Sequence, residues 1–275
     1  MAPATKVVVM ARGLGSRMRR EASADLSPEQ VSAAAAGAKA MMPLGGRPFL
    51  DHVLTRLADA GLIDVCLVIG PEHTAVRDYY DTLPTSRVGV SFAEQAEPRG
   101  TADAVAAAED FAGCDRFVVV NGDNLYPTAS VRALIAAPGS ATVGFSRDGL
   151  LADSNIPAER IAAFGLLGVR GTALIDLVEK PTPEAVAALQ VRAGDPAYPL
   201  ISMNCWLFEP TIFDACRRIG PSARGELEIV DAVRALVADG VEFTVVPSDE
   251  GVLDLSARGD VAAVSAALAG HEVNL

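Results

Sequence analysis

An alternation of two patterns constrains this chain more than any other feature. Short apolar, β-branched runs at residues 6–11, 65–69, 88–93, 117–120 and 141–145 are separated by stretches patterned as helices. Runs of that length read as buried strands, and strands alternating with helices mean βαβ units with helices on both faces of a sheet. Several helix ends are legible. Ser27-Pro28-Glu29-Gln30 offers a Ser N-cap, Pro at the first helical position and a Gln to close a capping box, and that helix should stop at Gly37. Pro48 opens a second helix in which Leu50, Val53, Leu54 and Leu57 share a face, and Gly61 ends it. Helices are also expected over 72–82, 101–111 and 131–137. Beyond Phe145 the strands are denser (165–169, 173–178, 201–208), with helices over 227–238 and 260–268. There is no internal repeat, low-complexity tract or linker. The expected fold is therefore α/β, a doubly wound mixed, mostly parallel sheet of Rossmann-like type in a single domain over 1–275.

Composition removes several function classes. The chain has 275 residues, half of them hydrophobic (50%), which supplies a sizeable core and excludes disorder. Asp and Glu number 35 against 23 Lys and Arg, for a net charge of -12. That balance argues against general affinity for nucleic acid or an anionic membrane surface, so an anionic substrate must be met by locally gathered cations and backbone N–H groups. No apolar stretch reaches the roughly 18–20 residues that span a bilayer, and no signal peptide precedes the first strand. Cys66, Cys114, Cys205 and Cys216 lack metal-ligand spacing and read as reduced thiols of a cytoplasmic protein. His52, His73 and His271 likewise show no ligand spacing and read as surface or structural residues; Trp206 reads as core.

Three segments carry possible chemistry. Gly13-Leu14-Gly15-Ser16-Arg17 directly follows the first strand. Such a loop either cradles a phosphate with its N–H groups, with the arginine forked onto phosphate oxygens, or is an ordinary turn. It fails the dinucleotide fingerprint, because Met18 stands where the third glycine belongs. Lys39, ahead of an amphipathic helix, either returns to the phosphates or is solvated. Asn121-Gly122-Asp123-Asn124 ends a strongly apolar strand. Open α/β sheets bind ligands at the carboxyl ends of their strands, and Mg²⁺ takes one or two carboxylates plus phosphate oxygens; the same tetrapeptide is also turn chemistry.

Together these segments resemble the sugar-nucleotide pyrophosphorylase, or sugar-1-phosphate nucleotidyltransferase, family. The family's opening Gly-x-Gly-Thr/Ser-Arg and Pro-Lys-x-Leu-x-Pro elements read here as Gly13 to Arg17 and as Lys39-Ala40-Met41-Met42-Pro43. Its base-recognition segment reads Gln95-Ala96-Glu97-Pro98-Arg99-Gly100-Thr101, its metal aspartate Gly122-Asp123, its sugar-contacting glycine Gly165, and its Glu-Lys-Pro element Glu179-Lys180-Pro181. The stretch from Arg224 to Asp231 looks like glucose-1-phosphate thymidylyltransferases, and Leu253-Asp254-Leu255 like the source of the second metal carboxylate. The matches run in family order along nearly the whole chain.

The resemblance implies a three-layer fold of the nucleotide-diphospho-sugar transferase type, with a nucleotide-binding half over 1–125 and a sugar-binding half over 126–275. It implies in-line attack of a sugar-phosphate oxygen on the α-phosphorus of UTP or TTP, with release of pyrophosphate. Arg17 and Lys39 would neutralise the transferring and leaving groups, and Asp123 and Asp254 would hold Mg²⁺. N–H groups of Leu14, Gly15 and Ser16, beside Gly13, would cradle the triphosphate. Gln95 would read the base with Gly100, next to Thr101. Gly165, Glu179, Lys180, Asn204 and Arg224 would receive the hexose 1-phosphate. Read from the residues alone, Asn204 equally fits a strand asparagine satisfying backbone groups, Gly165 fits a glycine that permits close packing, and Glu226 and Glu228 look like a helix start.

The chain also departs from the family. Arg12 stands where a small residue is usual, Ala38 replaces a proline, and the 18–38 segment is longer than usual, as a lid or as a passive surface insertion. These departures keep two alternatives in view: a cytidylyltransferase-like enzyme with a non-sugar acceptor, and a catalytically silent regulatory paralogue. Family members often form homo-oligomers, but no segment here marks an interface.

Overall fold

The apolar runs become strands of one nine-stranded sheet. We label its strands β1 (Lys6–Met10), β2 (Asp64–Ile69), β3 (Gly89–Glu94), β4 (Phe117–Asn121), β5 (Ser140–Phe145), β6 (Leu166–Arg170), β7 (Ala173–Val178), β8 (Leu200–Phe208) and β9 (Phe243–Ser248). The computed structural model describes residues 3–13, 15–20, 26–36 and 39–275. The spatial order is β3-β2-β1-β4-β8-β5-β9-β7-β6. The first four strands are mutually parallel, as are β5 and β9, while β7 and β8 run against the other seven. The mixed but mostly parallel sheet expected from the sequence is thus present.

Burial explains why β1 reads as a continuous apolar run. Val7 and Val9 face one core cluster, shared with the Phe49–Ala60 helix. Val8 faces the other, shared with the Thr101–Ala106, Thr211–Arg218 and Ile229–Ala238 helices. All three valines are 0% exposed. A strand covered on both faces has no solvent side and so no alternation, and each buried valine contributes about 1.5–3 kcal/mol. β4 repeats the division, with Val118 and Val120 in one cluster and Phe117 and Val119 in the other. Trp206 is fully buried.

The expected capping box forms: Gln30 N–H donates to Ser27 Oγ at 3.3 Å, and Ser27 N–H to Gln30 Oε1 at 3.0 Å. The Pro28–Ala36 helix is also anchored by Gln30 Nε2 donating to the Pro43 carbonyl at 3.0 Å. Gly37 and Ala38 lie outside the described residues. Other helices differ from expectation: the one expected over 131–137 runs Thr128–Ala136, and those at Arg147–Asp153, Ala158–Ile161, Pro183–Ala193 and Thr211–Arg218 were not expected. The stretch over 101–111 divides into Thr101–Ala106 and Glu109–Ala112. The helix expected at residue 72 starts at Thr74, because Gly70 N–H donates to the His73 ring and holds a turn there. The helix expected at Leu227 begins at Ile229, because Leu227 is extended, bonded to Arg99 O at 2.7 Å and to Ala102 N–H at 2.8 Å.

β8 forks the sheet. Its last residues pair with β4, Trp206 opposite Val119, and its first residues pair with β6, Leu200 opposite Leu167. Between them the register against β5 shifts, and Asn204 takes a left-handed conformation with φ 54°. Among the described residues no helix is long and apolar enough to cross a membrane, and all four cysteines are unpaired.

Candidate active site

The strand order changes direction between β1 and β4, and the carboxyl ends of that pair form the crevice where such sheets receive ligands. Gly122 makes the junction tight. Its N–H donates to Met10 O at 3.0 Å, and a Cβ there would sit 3.0 Å from the same oxygen. Asp123 is thereby delivered beside the start of the glycine loop. A cavity of about 400 Å³ opens at this point, with Arg12, Gly13, Lys39, Gln95, Gly100 and Asp123 in its wall.

Lys39 and Asp123, distant in sequence, meet at 2.9 Å, with side chains 15% and 27% exposed. Gly13 lines the cavity, and Gly15 turns the loop at φ 57° before the short Ser16–Arg20 helix. Arg17 on that helix is exposed. Leu14 and the Ser16 side chain lie outside what the structure describes.

Asp254 is buried, on a two-residue strand paired with Asn124–Leu125. Its carboxylate accepts from Asn124 Nδ2 at 3.0 Å and pairs with Arg160 at 3.0 Å. Loss of water and then the charge of Asp123 push its pKa up, and Arg160 opposes them. Asp123 lines the cavity and Asp254 lies buried outside its lining, close enough to feel the charge of Asp123; two such carboxylates are a donor set that suits Mg²⁺ completed by phosphate oxygens. In the structure each is instead balanced by a cation, Lys39 or Arg160. No cluster of three or more metal-ligating side chains occurs among the described residues.

Arg12 explains how a large cation is tolerated beside the loop. Only 9% exposed, it pairs with Glu72 at 3.1 Å and donates to the carbonyls of Gln95 and Ala96. Its guanidinium lies over Gly70, where a Cβ would come within 2.4 Å of Nε. Arg12 therefore fastens β1 to the end of β3. Gln95, at that end, donates through Nε2 to Gly100 O at 3.0 Å and to Asp103 Oδ2 at 2.9 Å. Gly100 needs its freedom: its φ is 121°, and a Cβ would lie 2.5 Å from Leu227 O. Thr101 lines the cavity, but its hydroxyl accepts the Ile229 N–H at 2.8 Å, which joins the segment to a neighbouring helix.

The remaining residues cluster around β6, β7 and the fork in β8. Gly165 precedes β6, and a Cβ on it would lie 2.6 Å from Glu179 Oε1, so the glycine leaves room for that carboxylate. Although Glu179 as a whole is exposed, its carboxyl end packs over Gly165. Loss of water there, followed by the facing charge of Glu228, raises its pKa. Lys180 is exposed and held at φ 46°. Asn204 Oδ1 accepts from Trp206 Nε1 at 3.3 Å, so part of its capacity serves its own strand. Arg224 is half exposed and pairs with Glu228 at 2.7 Å.

Two residues stand differently from their sequence reading. Glu226, read as part of a helix start, lines the cavity, because the Arg224–Gly225 turn projects it there. His73, read as surface or structural, does hold the Gly70 turn but also lines the cavity. Sequence reasoning missed Asp103 behind Gln95, and Arg160 on Asp254. For Asp103 the signal was its place one turn into the helix that follows Gln95; for Arg160 there was none.

The sequence model of the family described as Nucleotidyl transferase matches residues 6–256. A glucose-1-phosphate thymidylyltransferase of Streptomyces griseus is 32% identical over 248 residues, 88% of this chain and 60% of that protein. A low-salt glycan biosynthesis nucleotidyltransferase of Haloferax volcanii is 28% identical over 239 residues, 86% of this chain and 58% of that protein. The chain thus spans less than two thirds of the length of these two relatives. A UTP–glucose-1-phosphate uridylyltransferase of Streptococcus pyogenes is 25% identical over 263 residues, 86% of this chain and 79% of that protein. Among solved structures, a UDP-glucose pyrophosphorylase complexed with UDP-glucose superposes with a TM-score of 0.72 at 19% identity, covering 98% of this chain and 99% of that one. A glucose-1-phosphate thymidylyltransferase from Bacillus anthracis, described as putative, gives 0.71 at 23% identity, covering 99% and 98%. At these identities the structural likeness speaks for the fold.

Proposed function

We propose, from the premise that this chain belongs to the nucleotidyl transferase family, that it transfers a nucleotidyl group from UTP or TTP to a hexose 1-phosphate and releases pyrophosphate. The observation that carries the reading is the cavity at the β1–β4 switch point, with the Lys39–Asp123 pair and the Gln95 amide in its wall. Sugar-phosphate relatives support the acceptor.

The attacking phosphate is already an anion, so no general base is needed. The difficulty is bringing anions together and stabilising charge on the leaving pyrophosphate, which positioning and fixed charges supply. N–H groups of Leu14, Gly15 and Ser16 cradle the triphosphate beside Gly13, and Arg17 and Lys39 neutralise it. Asp123 and Asp254 would hold Mg²⁺, a Lewis acid toward phosphate oxygens. Gln95 and the Gly100 backbone meet the base, with Thr101 steadying their segment. Gly165 leaves the space in which Glu179 accepts sugar hydroxyls, Asn204 reaches the sugar, and Lys180 and Arg224 take its phosphate. In this reading residues 1–125 are the nucleotide half and 126–275 the sugar half of one cytoplasmic enzyme.

The test is pyrophosphate release from purified protein with Mg²⁺, the common NTPs crossed against a panel of sugar 1-phosphates. Release requiring one UTP–sugar or TTP–sugar pair is expected. Turnover only with CTP and an alcohol phosphate, or nucleotide-sugar binding without turnover, would replace the proposal with a cytidylyltransferase or a regulatory protein.

A further inference from the structure

The base end of the cavity contains a side chain whose orientation is fixed from behind. Gln95 is 5% exposed. Its main chain is held on both sides, N–H to Ile69 O at 2.9 Å and C=O to the Arg12 guanidinium. Its amide nitrogen has two hydrogens, and both are used: one on Gly100 O at 3.0 Å, the other on Asp103 Oδ2 at 2.9 Å. Both partners only accept. One is a backbone carbonyl, and the other is a carboxylate that also pairs with Arg99 at 3.4 Å. Turning the amide over would set its oxygen against two acceptors, so the network itself assigns nitrogen and oxygen. What remains for the cavity is Oε1, which has no hydrogen-bond donor among the described residues.

Gln95 can therefore meet a base only as an acceptor. Uracil and thymine present an N–H at N3 between two carbonyl oxygens; cytosine presents a bare ring nitrogen there and carries its donor on the N4 amino group instead, so an acceptor aimed at position 3 loses its hydrogen. An acceptor buried against an acceptor leaves both unpaired, and sites built to bond a hydrogen reject the analogue lacking it by large factors. We infer that Asp103 is the positioning residue that sets base specificity: it pins the Gln95 amide with Oε1 toward the base and so selects imide bases, uracil or thymine, over cytosine. The inference rests on the nucleotidyl-transfer reading above. Asp103 acts through Gln95 and not on the base, from the Thr101–Ala106 helix behind it.

The test compares wild type, Asp103→Ala and Asp103→Asn. For each, UTP, TTP and CTP affinities are measured by equilibrium dialysis with Mg²⁺, and kcat/KM is measured at saturating glucose 1-phosphate. Wild type should favour UTP or TTP over CTP by on the order of 10²-fold. Asp103→Ala removes one of the two acceptors that oppose a turned amide and should compress that ratio about tenfold or more. Asp103→Asn keeps an acceptor oxygen facing Gln95 and should restore the ratio. An unchanged ratio in Asp103→Ala, an equal fall for all three nucleotides, or loss of discrimination in Asp103→Asn as well, would overturn the assignment and leave the nucleotidyl-transfer reading standing. Wild-type protein that binds no nucleotide, or prefers CTP, would overturn both.

Discussion

The two ends of the site are built on opposite plans. At the β1–β4 end Arg17 is exposed, but three cations are already paired: Lys39 holds Asp123, Arg160 holds Asp254, and Glu72 and two carbonyls hold Arg12. At the β6–β8 end the groups are exposed or uncomfortable. Lys180 and Asn204 sit at positive φ, and Glu179 carries a raised pKa against the charge of Glu228. A triphosphate has a fixed pattern of anionic oxygens that prearranged cations and N–H groups can match before it arrives. A sugar is recognised through hydroxyls, which reward carboxylates and amides left free to accept. In the proposed reading the β6–β8 end is the one where strain and exposure would serve the substrate.

The comparison breaks first at Asp123. In the proposed reaction Asp123→Ala removes one of two metal carboxylates and leaves Lys39 unpaired, and kcat should fall by about 10³-fold or more. A wild-type rate in pyrophosphate release would take Asp123 out of the chemistry. Gly165→Ala probes the other end: its Cβ lands on Glu179 Oε1, so KM for the sugar phosphate should rise by roughly 10–100-fold with nucleotide affinity unchanged. Equal loss for both substrates would mean the two ends are not separate.

A pH profile sharpens the contrast. The Glu179 pKa is raised from 4.5, so as pH falls from neutral this carboxyl takes up its proton earlier than an ordinary glutamate. KM for the sugar phosphate should climb on that acid limb. The sign for stability is the reverse. A raised carboxyl pKa opposes folding when the group is ionised, and that opposition fades as pH drops through it, so Glu179 itself does not drive acid unfolding. Glu228→Gln removes the facing charge and should move the limb to lower pH; an unmoved limb would assign the shift to desolvation alone. The smallest effect is expected at Lys180. Lys180→Gly relieves its left-handed backbone and should stabilise the protein by about 1 kcal/mol, raising Tm by roughly 2–4 °C, while weakening sugar-phosphate binding. A lower Tm would show that Lys180 is not strained.

Local patterns were legible and long-range bonds were not. The buried strands, the Ser27–Gln30 capping box and the carboxylate at the end of β4 follow from residue type and spacing within a few positions. The helix expected from residue 227 was not legible, since Leu227 stays extended to satisfy Arg99 and Ala102 across the fold. Arg12 was visible only as a misfit. Its burial depends on Glu72 and the Gln95 carbonyl, far along the chain, and periodicity carries no record of such partners. Arg160 was missed for the same reason, whereas Asp103 lies only eight residues from Gln95 and had a local signal. Motif order marked Lys39 and Asp123 separately, and their ion pair is information that only the fold supplies.

The fork in β8 has a mechanical consequence. One strand runs from β6 to β4, so the two ends of the site share a continuous backbone and not a hinge loop. The ladder is interrupted only between Ser202 and Trp206, and Tyr126 clamps that interruption by donating to Met203 O at 2.7 Å. The spacing of the two ends is therefore set by one strand, with its left-handed residue Asn204 inside the interruption.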